Sequence, residues 1–599
     1  MRRRVVPVCL FIAAAYWMLV TRFTGVLIAP EWLSAVYDSL GSHLLHLSPE
    51  VDESAIRWEG IKVGGKIYAY FGPFPAFLRI ILNGISPQFR GQWSRVSCLL
   101  AALLSVAAYG LMTWRVLAAN SNLTSRQREM LCALLLLGFA LGTPILYLIS
   151  CARLYHEAIL WGLCGATWCV YSISLLLFSP QRVIPVLLLF SVSVFVTLLS
   201  RITFGVAVVL VSPAVFMCSA ENHWWIDRRR SVLRLLVFTP IVLSLAICGW
   251  YNYARFGSPF TFFDYRGFYL KADAMGGDFN VARIPDALRH YLGVSSKYFI
   301  GSLPFIRTIT SNYVRPELFQ PGWREQTISY VVASPWLLVL ALLGPVFLVR
   351  LARKSLFIVA MTCFFVQVIL IFSFYFVTER YAAELLPFLT LLSVPWLLHT
   401  KGSRKSILTL ATLVVWSSYA TIASTLDWNL IHNGDTDGTY KRQLAALFSS
   451  GARLPSYEGP RIYLSDLTPL QETTSFARMV KDKNAKGEVL EAGGERYPKG
   501  LGMHAYTKVS YAVPPGQSRF VAILAPSQSE RSCEKMSYRM RLSDSNGRVL
   551  FESARFENRS QPVPIEIDLL GSTVVTLEVD PLEDGIDCDH ANWIMAQFR

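Results

Sequence analysis

Eleven apolar runs dominate the first 426 residues of the sequence, and most of them are long enough to cross a lipid bilayer. A transmembrane helix needs about 20 consecutive apolar residues, because its backbone polar groups find no water in the hydrocarbon core. The runs therefore predict a polytopic α-helical membrane protein with about eleven transmembrane helices. The predicted spans are residues 5–27, 96–117, 130–149, 158–178, 183–199, 203–218, 232–251, 331–349, 356–377, 385–398 and 407–426.

Lys and Arg are concentrated before the first run and in every second loop after it. These positions are Arg2, Arg3, Arg4, Arg115, Arg126, Arg128, Arg182, Arg228, Arg229, Arg230, Arg234, Arg350, Arg353, Lys354, Lys401, Arg404 and Lys405. The short loops between them carry only Arg153, Arg201 and Arg380. Because cytoplasmic loops are enriched in Lys and Arg, we expect the amino terminus in the cytoplasm and residue 599 outside. The net charge of +15 reflects this topology and does not indicate nucleic-acid binding.

Residues 461–599 have the composition of a soluble domain. They hold 17 Lys and Arg against 19 Asp and Glu, whereas the preceding residues hold 39 against 22. Short alternating runs of apolar and polar residues, separated by turn residues, predict an antiparallel β-sandwich here. We therefore expect a membrane domain over residues 1–432 with large outer loops at 29–94 and 252–330. A linker over residues 433–460 and the sandwich over 461–599 complete the predicted organisation.

Three motifs in the tail occur in a fixed order: Tyr463-Leu-Ser-Asp-Leu467, Tyr497-Pro-Lys-Gly-Leu-Gly-Met-His504 and Asp589-His-Ala-Asn-Trp593. Together they resemble the NPCBM family, whose β-sandwich modules accompany sugar-active enzymes. The family usually has Gly-x-Asp where this chain has Ala525-Pro-Ser. The resemblance implies a carbohydrate-binding module.

The resemblance makes Trp593, His504 and Asp589 the candidates for contact with a sugar. An indole ring can stack on a sugar face, and imidazole and carboxylate groups can hydrogen-bond its hydroxyls. The alternative, favoured for motif residues that recur with glycine, is that these side chains form turns and core.

Cys533 and Cys588 are the two cysteines of the tail, and the other nine lie in or beside the apolar runs. In an oxidising compartment outside the cytoplasm, this pair is a candidate for one disulfide bond. The alternative is two unpaired thiols.

The membrane part carries three strings near predicted outer span ends: Trp58-Glu-Gly with Gly65-Lys-Ile-Tyr-Ala-Tyr-Phe-Gly-Pro73, Tyr155-His-Glu157, and Asn252-Tyr-Ala-Arg-Phe-Gly-Ser-Pro259. Pro73 and Pro75 are expected to break helical structure at the end of the first string. With the long, acidic first outer loop, the three strings resemble GT-C-type membrane glycosyltransferases. That resemblance implies a hexosyl- or pentosyltransferase with a polyprenyl-phosphate-linked sugar donor and a glycan acceptor. It further implies a bacterial-type inner membrane with the tail in the periplasm.

Such a transfer needs a carboxylate to take the acceptor's proton or to bind a divalent metal, Mg or Mn. It also needs Arg to hold the phosphate. The candidate acids are Glu59, Asp52, Glu53 and Glu157, and the candidate phosphate-binding residues are Arg380, Arg201 and Arg255.

Each of these residues has a structural alternative. Asp52 and Glu53 are then solvated loop acids, and Glu157 pairs with Arg153 one helical turn away. Glu379 and Glu384 then neutralise Arg380.

Two other functions fit the same architecture. The first is a flippase or transporter for lipid-linked sugars, which would need polar residues deep in the spans. Gln367 and Ser373 are among the few present. The second is a non-enzymatic membrane anchor that displays a carbohydrate-binding domain.

The charge pattern predicts that alkaline phosphatase fused after residue 599 is active, because this enzyme matures only outside the cytoplasm. The same reporter fused in the loop that carries Lys401 and Lys405 is expected to be inactive. Fusions assayed in intact cells check both positions, and an inactive reporter after residue 599 with an active one in that loop would contradict the predicted sidedness.

Overall fold

The computed structural model describes residues 4–178, 183–220, 231–262, 275–300, 303–311, 313–319, 325–351, 353–432, 439–448, 454, 461–527, 533, 535–583 and 585–599. The chain divides into two compact units. The first comprises Met1–Gly301 with Phe305–Thr425, and the second comprises Ser302–Pro304 with Leu426–Arg599.

The first unit is helical. The α-helices of the chain are α1 (Val5–Val20), α2 (Val36–Leu44), α3 (Glu53–Ile56), α4 (Phe74–Ile85), α5 (Ser94–Ala119), α6 (Ser125–Leu141), α7 (Ile145–Ser150), α8 (Leu154–Phe178), α9 (Val183–Ser200), α10 (Ile202–Ala220), α11 (Ser231–Phe256), α12 (Ile284–Leu292), α13 (Tyr330–Ala333), α14 (Pro335–Leu343), α15 (Lys354–Ser373), α16 (Glu379–Ala382), α17 (Leu386–His399), α18 (Arg404–His432) and α19 (Thr439–Phe448).

Among the residues described, seven helical segments are long and apolar enough to cross a membrane, and four shorter apolar helices accompany them. Every predicted span contains helical structure, although α1 ends at Val20 and α15 ends at Ser373, before the predicted ends of those spans. Two spans are interrupted: residues 130–149 form α6 and α7, and residues 331–349 fall on α13, α14 and a 3₁₀ helix, Gly344–Arg350. The predicted class, a polytopic helical part followed by an all-β part, is confirmed.

The predicted first outer loop, residues 29–94, contains a helix that the sequence analysis did not expect. Pro73 and Pro75 were predicted to break helical structure, but α4 begins between them, with Pro73 as its N-cap residue. Proline is tolerated in the first turn of a helix, where its missing N–H has no intrahelical partner to lose. The prolines therefore start this helix and do not interrupt it.

The strands are β1 (Ile61–Val63), β2 (Lys66–Tyr68), β3 (Ile309–Thr310), β4 (Gln326–Thr327), β5 (Ile462–Tyr463), β6 (Gln471–Thr474), β7 (Val480–Lys481), β8 (Leu490–Ala492), β9 (Glu495–Tyr497), β10 (Gly500–His504), β11 (Thr507–Ala512), β12 (Arg519–Pro526), β13 (Ser537–Asp544), β14 (Val549–Glu552), β15 (Phe556–Glu557), β16 (Val563–Asp568), β17 (Val574–Pro581) and β18 (His590–Phe598). The first two form an antiparallel hairpin in the first outer loop, with Ile61 opposite Tyr68.

The second unit contains the predicted sandwich. One sheet has the order β16-β12-β18-β10-β7, with β5 beside β18, and the other has the order β14-β13-β17-β11-β6, with β15 beside β13. The sandwich core consists of alternate residues from strands of both sheets, as expected when each strand has one inward face. Cys533 and Cys588 form a disulfide bond. Within the predicted linker, residues 439–448 form α19, and apart from residue 454 the remainder lies outside the described residues.

Candidate functional site

The segment after the first hairpin, residues 69–72, is held against the end of α11. Nη1 of Arg255, in the last turn of α11, donates to the carbonyl oxygen of Ala69 at 2.7 Å. One turn earlier, the hydroxyl of Tyr251 donates to the carbonyl oxygen of Phe71 at 3.2 Å. Two side chains of one helix therefore fix the position of this segment.

Gly72 brings the same segment against the end of α9. A Cβ atom added at Gly72 would lie 2.2 Å from the carbonyl oxygen of Leu199 and 3.0 Å from that of Ser200. These atoms belong to backbone, which cannot swing away as a flexible side chain can. Only glycine permits this approach, and that explains its place in the Phe-Gly-Pro string of the first outer loop.

A pocket lies where these contacts meet. Its lining residues are Tyr70, Phe71, Gly72, Pro73, Leu198, Leu199, Ser200, Arg201, Ile202, Cys248, Tyr251, Asn252, Arg255 and Phe262. Two of the three predicted phosphate-binding residues, Arg201 and Arg255, thus line one pocket although 53 residues and two helices separate them in sequence.

Arg255 is buried and, among the described residues, has no carboxylate partner. Besides its bond to Ala69, its Nε donates to the carbonyl oxygen of Tyr251 at 3.1 Å, and Nη2 donates to Oδ1 of Asn252 at 2.7 Å. Its guanidinium carbon lies 3.8 Å from the centroid of the Tyr251 ring. A buried cation without a counter-ion is costly, so this arrangement favours an anionic ligand in the pocket.

Arg201, between α9 and α10, does have a counter-ion. Its Nε lies 3.0 Å from Oε1 of Glu384, whose other oxygen accepts the hydroxyl of Thr203. The Arg201 guanidinium carbon lies 5.1 Å from the centroid of the Tyr381 ring. Glu384 therefore neutralises Arg201, whereas the structural alternative in the sequence analysis had paired Glu384 with Arg380.

Glu59 is buried and is held by two tyrosine hydroxyls. It lies in the 3₁₀ turn Arg57–Glu59 that follows α3. The hydroxyl of Tyr70 donates to Oε2 at 2.9 Å, and the hydroxyl of Tyr155, in the first turn of α8, donates to Oε1. Tyr70 also lines the pocket, so one residue contacts both the predicted base and the pocket that holds the two arginines.

Arg380 belongs to the surroundings of Glu59. Its guanidinium carbon lies 4.5 Å from the centroid of the Tyr155 ring, and Nη2 lies 2.7 Å from Oε1 of Glu325. Among the described residues no ion pair joins Arg380 to Glu379, whose Oε2 accepts the backbone N–H of Ile328 at 3.0 Å. Arg380 thus has a carboxylate partner where the sequence analysis expected a phosphate.

Glu157, two residues after Tyr155 on α8, belongs to a separate buried ion cluster. Nη2 of Arg79 lies 2.7 Å from both carboxylate oxygens of Glu157, and its Nε lies 3.3 Å from Oδ2 of Asp38. All three side chains are buried. Glu157 is therefore paired with Arg79, whereas the structural alternative had named Arg153, and it does not line the pocket; its catalytic role stays a prediction.

Asp52 and Glu53 are exposed acids of the first outer loop. The Asp52 side chain is 56% exposed and accepts the Ser39 hydroxyl at 2.6 Å. This bond, with a smaller contribution from His43, lowers the pKa of Asp52 and makes it a weaker base. Glu53 is 64% exposed and lies 2.7 Å from Nζ of Lys62. Neither residue lines the pocket, so the alternative of solvated loop acids describes both.

The residues around Glu59 do not fit a divalent metal ion. Magnesium and manganese take several oxygen ligands, with carboxylates prominent among them. Both oxygens of Glu59 instead accept phenol protons, and Glu157 is held by Arg79. Within the described part of the chain, no group of three or more His, Cys, Asp or Glu side chains is arranged to hold a metal.

Two of the three predicted sugar contacts in the sandwich are completely enclosed, with no exposed surface. The Trp593 ring is fully enclosed in the core, 5.9 Å from the ring of Phe520. Asp589 is also fully buried, and its Oδ1 accepts the backbone N–H of Ser537 at 2.8 Å. A sugar cannot reach either side chain, so the structural alternative is correct for both.

His504 is almost fully buried and lies between two rings. The centroid of the Phe476 ring is 4.8 Å away and that of His590 is 4.7 Å away. Phe476 is 73% exposed, so it presents the aromatic surface that the sequence analysis assigned to Trp593. The glycines of the same motif are structural: a Cβ atom at Gly502 would lie 2.4 Å from the backbone of Asn484.

Sequence reasoning missed Tyr70, Tyr155, Glu325 and Arg79 as members of these clusters. Tyr70 and Tyr155 lie inside strings that the sequence analysis identified, but within those strings it proposed catalytic roles only for acidic residues. Glu325 and Arg79 meet their partners across 55 and 78 residues, and no local pattern marks such pairs. The signal available in the sequence for these clusters was the presence of tyrosine hydroxyls near an acidic residue at predicted outer span ends.

Residues 460–599 match the NPCBM/NEW2 domain family, so the tail carries an NPCBM/NEW2 domain. The tail is similar to the CBM51-2 and INT domains of Clostridium perfringens ZmpB in complex with GlcNAc, at 23% identity. That match covers 23% of this chain and 31% of the other, with a TM-score of 0.22, so the chain spans under a third of that structure. Another similar structure is CBM51 of Clostridium perfringens GH95 with methyl-galactose, at 22% identity over 23% of this chain and 100% of the other, with a TM-score of 0.22.

The helical part is similar to ArnT from Cupriavidus metallidurans bound to undecaprenyl phosphate. The two are 10% identical over 74% of this chain and 69% of the other, with a TM-score of 0.41. It is also similar to the oligosaccharyltransferase AglB of Archaeoglobus fulgidus in complex with an inhibitory peptide and a dolichol-phosphate. There the identity is 12% over 75% of this chain and 58% of the other, with a TM-score of 0.39. No curated protein sequence matches the chain.

The replacement Glu157→Gln is expected to lower the free energy of unfolding of the helical unit by about 3 kcal/mol, because it leaves buried Arg79 without one of its two counter-ions. The matched replacement Glu53→Gln removes an exposed carboxylate and should cost less than about 1 kcal/mol. Thermal unfolding of the purified full chain in detergent measures both. Equal melting temperatures for the two variants would contradict the structural assignment.

Proposed function

We propose that this chain is an integral membrane glycosyltransferase that moves a sugar from a polyprenyl-phosphate-linked donor to a glycan acceptor outside the cytoplasm. The observation that carries the proposal is the pocket in which Arg255, a buried cation without a described carboxylate partner, lies with Arg201. Such a pocket suits a phosphate group, whose oxygens accept hydrogen bonds from guanidinium. The motif resemblance supplies the class of donor.

In the proposed reaction, the two arginines act on the donor phosphate and Glu59 acts on the acceptor. At the pocket, Arg255 and Arg201 hold the phosphate and stabilise the charge that it gains as the bond between sugar C1 and phosphate oxygen breaks. An acceptor hydroxyl forms the new bond to C1, and its proton must leave. Glu59 is the base, because it is the one predicted acid whose hydrogen-bond partner lines the pocket. No metal takes part in this mechanism.

The aromatic and acidic neighbours of Glu59 keep it in place during this step. Tyr155 donates to one of its oxygens, and Arg380 lies over the Tyr155 ring. Because Glu325 pairs with Arg380, the positive charge beside the base is balanced. The base is therefore held by neutral donors and is not tied up in an ion pair of its own.

The NPCBM/NEW2 domain is proposed to bind the glycan acceptor. A binding module on the same chain raises the local concentration of acceptor without any change at the catalytic pocket. Phe476 offers an exposed ring for stacking on a sugar.

The flippase alternative has less support in the helical core. Gln367 donates to the backbone carbonyl oxygen of Glu384 at 2.9 Å, and the hydroxyl of Ser373 donates to that of Leu370 at 3.1 Å. Both side chains thus donate to backbone carbonyl oxygens, and these donors are not available to a sugar head group.

The proposal predicts that the purified full chain releases polyprenyl phosphate from an undecaprenyl-phosphate-linked hexose or pentose. Glu59→Gln should lower this release at least about 100-fold while the dissociation constant for undecaprenyl phosphate stays within about 3-fold, because the base acts on the acceptor. Lipid extraction and mass spectrometry measure release, and a fluorescence titration measures binding.

Arg255→Gln, in the same assay, should weaken binding of undecaprenyl phosphate about 10- to 100-fold, as expected when a charged hydrogen bond to phosphate is lost. Arg201→Gln should have a smaller effect, since Glu384 already neutralises that arginine. If no lipid-linked pentose or hexose yields polyprenyl phosphate with the unmodified chain, the proposed function is wrong.

A further inference from the structure

We propose that Asn252 is the positioning residue of the anion site: its neutral amide oxygen orients the Arg255 guanidinium and leaves the positive charge uncompensated. The inference rests on the proposed function, because it concerns how that same pocket holds the donor phosphate. Its basis is the set of hydrogen bonds that Arg255 makes and the contrast with a second buried arginine, Arg283.

Asn252 and Arg255 lie three residues apart on α11, so their side chains meet on one face of the helix. Nη2 of Arg255 donates to Oδ1 of Asn252 at 2.7 Å, and Nδ2 of Asn252 donates to the carbonyl oxygen of Pro259 at 3.1 Å. Guanidinium only donates and a carbonyl oxygen only accepts, so these two partners fix which end of the amide is oxygen. Asn252 is buried and therefore offers Arg255 a fixed acceptor.

Arg255 has more hydrogen-bond donors than the described residues use. A guanidinium carries five N–H groups, and three of those on Arg255 have partners. Nε donates to the carbonyl oxygen of Tyr251, Nη1 to that of Ala69, and Nη2 to Asn252. One N–H of each Nη group is therefore left without a bond to the described part of the chain. Two donors on one guanidinium match two oxygens of a phosphate group.

Arg283 shows how the same fold completes a buried arginine that needs no ligand. It has no exposed surface, and each of its five N–H groups has an acceptor. Nε, Nη1 and Nη2 donate to the backbone carbonyl oxygens of Leu318, Asp278, Ser373, Met275 and Gly277. Arg255 is also buried but makes two hydrogen bonds fewer to the described residues, and this difference marks it as the arginine that is completed by a ligand.

The neutral charge of Asn252 matters as much as its position. Aspartate has nearly the same size and shape, and at this place its carboxylate would form a buried ion pair with Arg255. The fold contains such a pair at Arg201, whose Nε lies 3.0 Å from Oε1 of Glu384. A carboxylate beside Arg255 would compensate its charge and repel an incoming phosphate. The amide orients the guanidinium without this competition.

The test compares Asn252→Asp with Asn252→Ala in the purified full chain, with undecaprenyl phosphate as the probe. Both variants lose the bond from Nδ2 to Pro259, so this loss does not distinguish them. Asp keeps the acceptor for Nη2 and adds a negative charge, whereas Ala stays neutral and removes the acceptor. The control is Asn120→Asp, the same change at a buried asparagine whose Nδ2 also donates to backbone carbonyl oxygens and which does not line the pocket. Melting temperature shows whether each variant folds.

Asn252→Asp is expected to raise the dissociation constant for undecaprenyl phosphate about 10- to 100-fold, because a compensated guanidinium attracts phosphate less strongly. Asn252→Ala should raise it less than about 5-fold, and Asn120→Asp should leave it within about 2-fold. A residue that acts through its shape alone gives the reverse order, with Ala weaker than Asp. That order, or equal affinities of the two Asn252 variants, would overturn the inference.

Cys248→Asp serves as a second variant if Asn252→Asp does not fold. Sγ of Cys248 lies 4.0 Å from Nδ2 of Asn252, and both residues line the pocket, so this change also adds a carboxylate beside the Asn252–Arg255 pair. It should weaken binding at least about 10-fold, and unchanged binding would overturn the inference. Either contrary result leaves the proposed function standing as long as the unmodified chain releases polyprenyl phosphate from a lipid-linked sugar. Absence of that release would instead overturn the proposed function.

Discussion

The docking of residues 69–72 between two helix ends is the interaction on which the candidate site depends. Two hydrogen bonds from α11 hold the backbone of this segment, and Gly72 lets it approach the end of α9 more closely than any other residue could. These contacts bring Tyr70, Arg201 and Arg255 to one pocket. The predicted first outer loop thus supplies the segment that contacts the ends of both α9 and α11. It thereby joins the parts of the site that carry Arg201 and Arg255.

Charge neutralisation distinguishes Arg255 from the other arginines of the candidate clusters. Arg79 is paired with two carboxylates, Arg380 with Glu325, and Arg201 with Glu384. Arg255 differs, because its described partners are neutral oxygens and an aromatic ring. In a buried setting, a cation with only neutral partners favours an anionic ligand, and this contrast was visible only once side-chain partners were known.

Much of the architecture could be predicted because hydrophobic length and loop charge act locally along the chain. The helical spans and the β-sandwich follow from such patterns. The errors involve pairing between distant segments. The structural alternative paired Glu157 with Arg153, one helical turn away, but its partner is Arg79, 78 residues away, and the candidate sugar contact Trp593 has its ring in the core. The chemical type of a residue can be read from the sequence, whereas the residues that pair with it or pack against it in the interior are determined by tertiary structure.

The central claim, that the Gly72 contact assembles the anion-binding pocket, is tested most directly by undecaprenyl phosphate binding to Gly72→Ala in the purified full chain. The control is Gly84→Ala, where an added Cβ atom meets nothing within 4 Å. The dissociation constant should rise at least about 10-fold in Gly72→Ala, because a displaced segment loses its bond to Arg255, and should stay unchanged in Gly84→Ala. The same affinity in both variants would contradict the account.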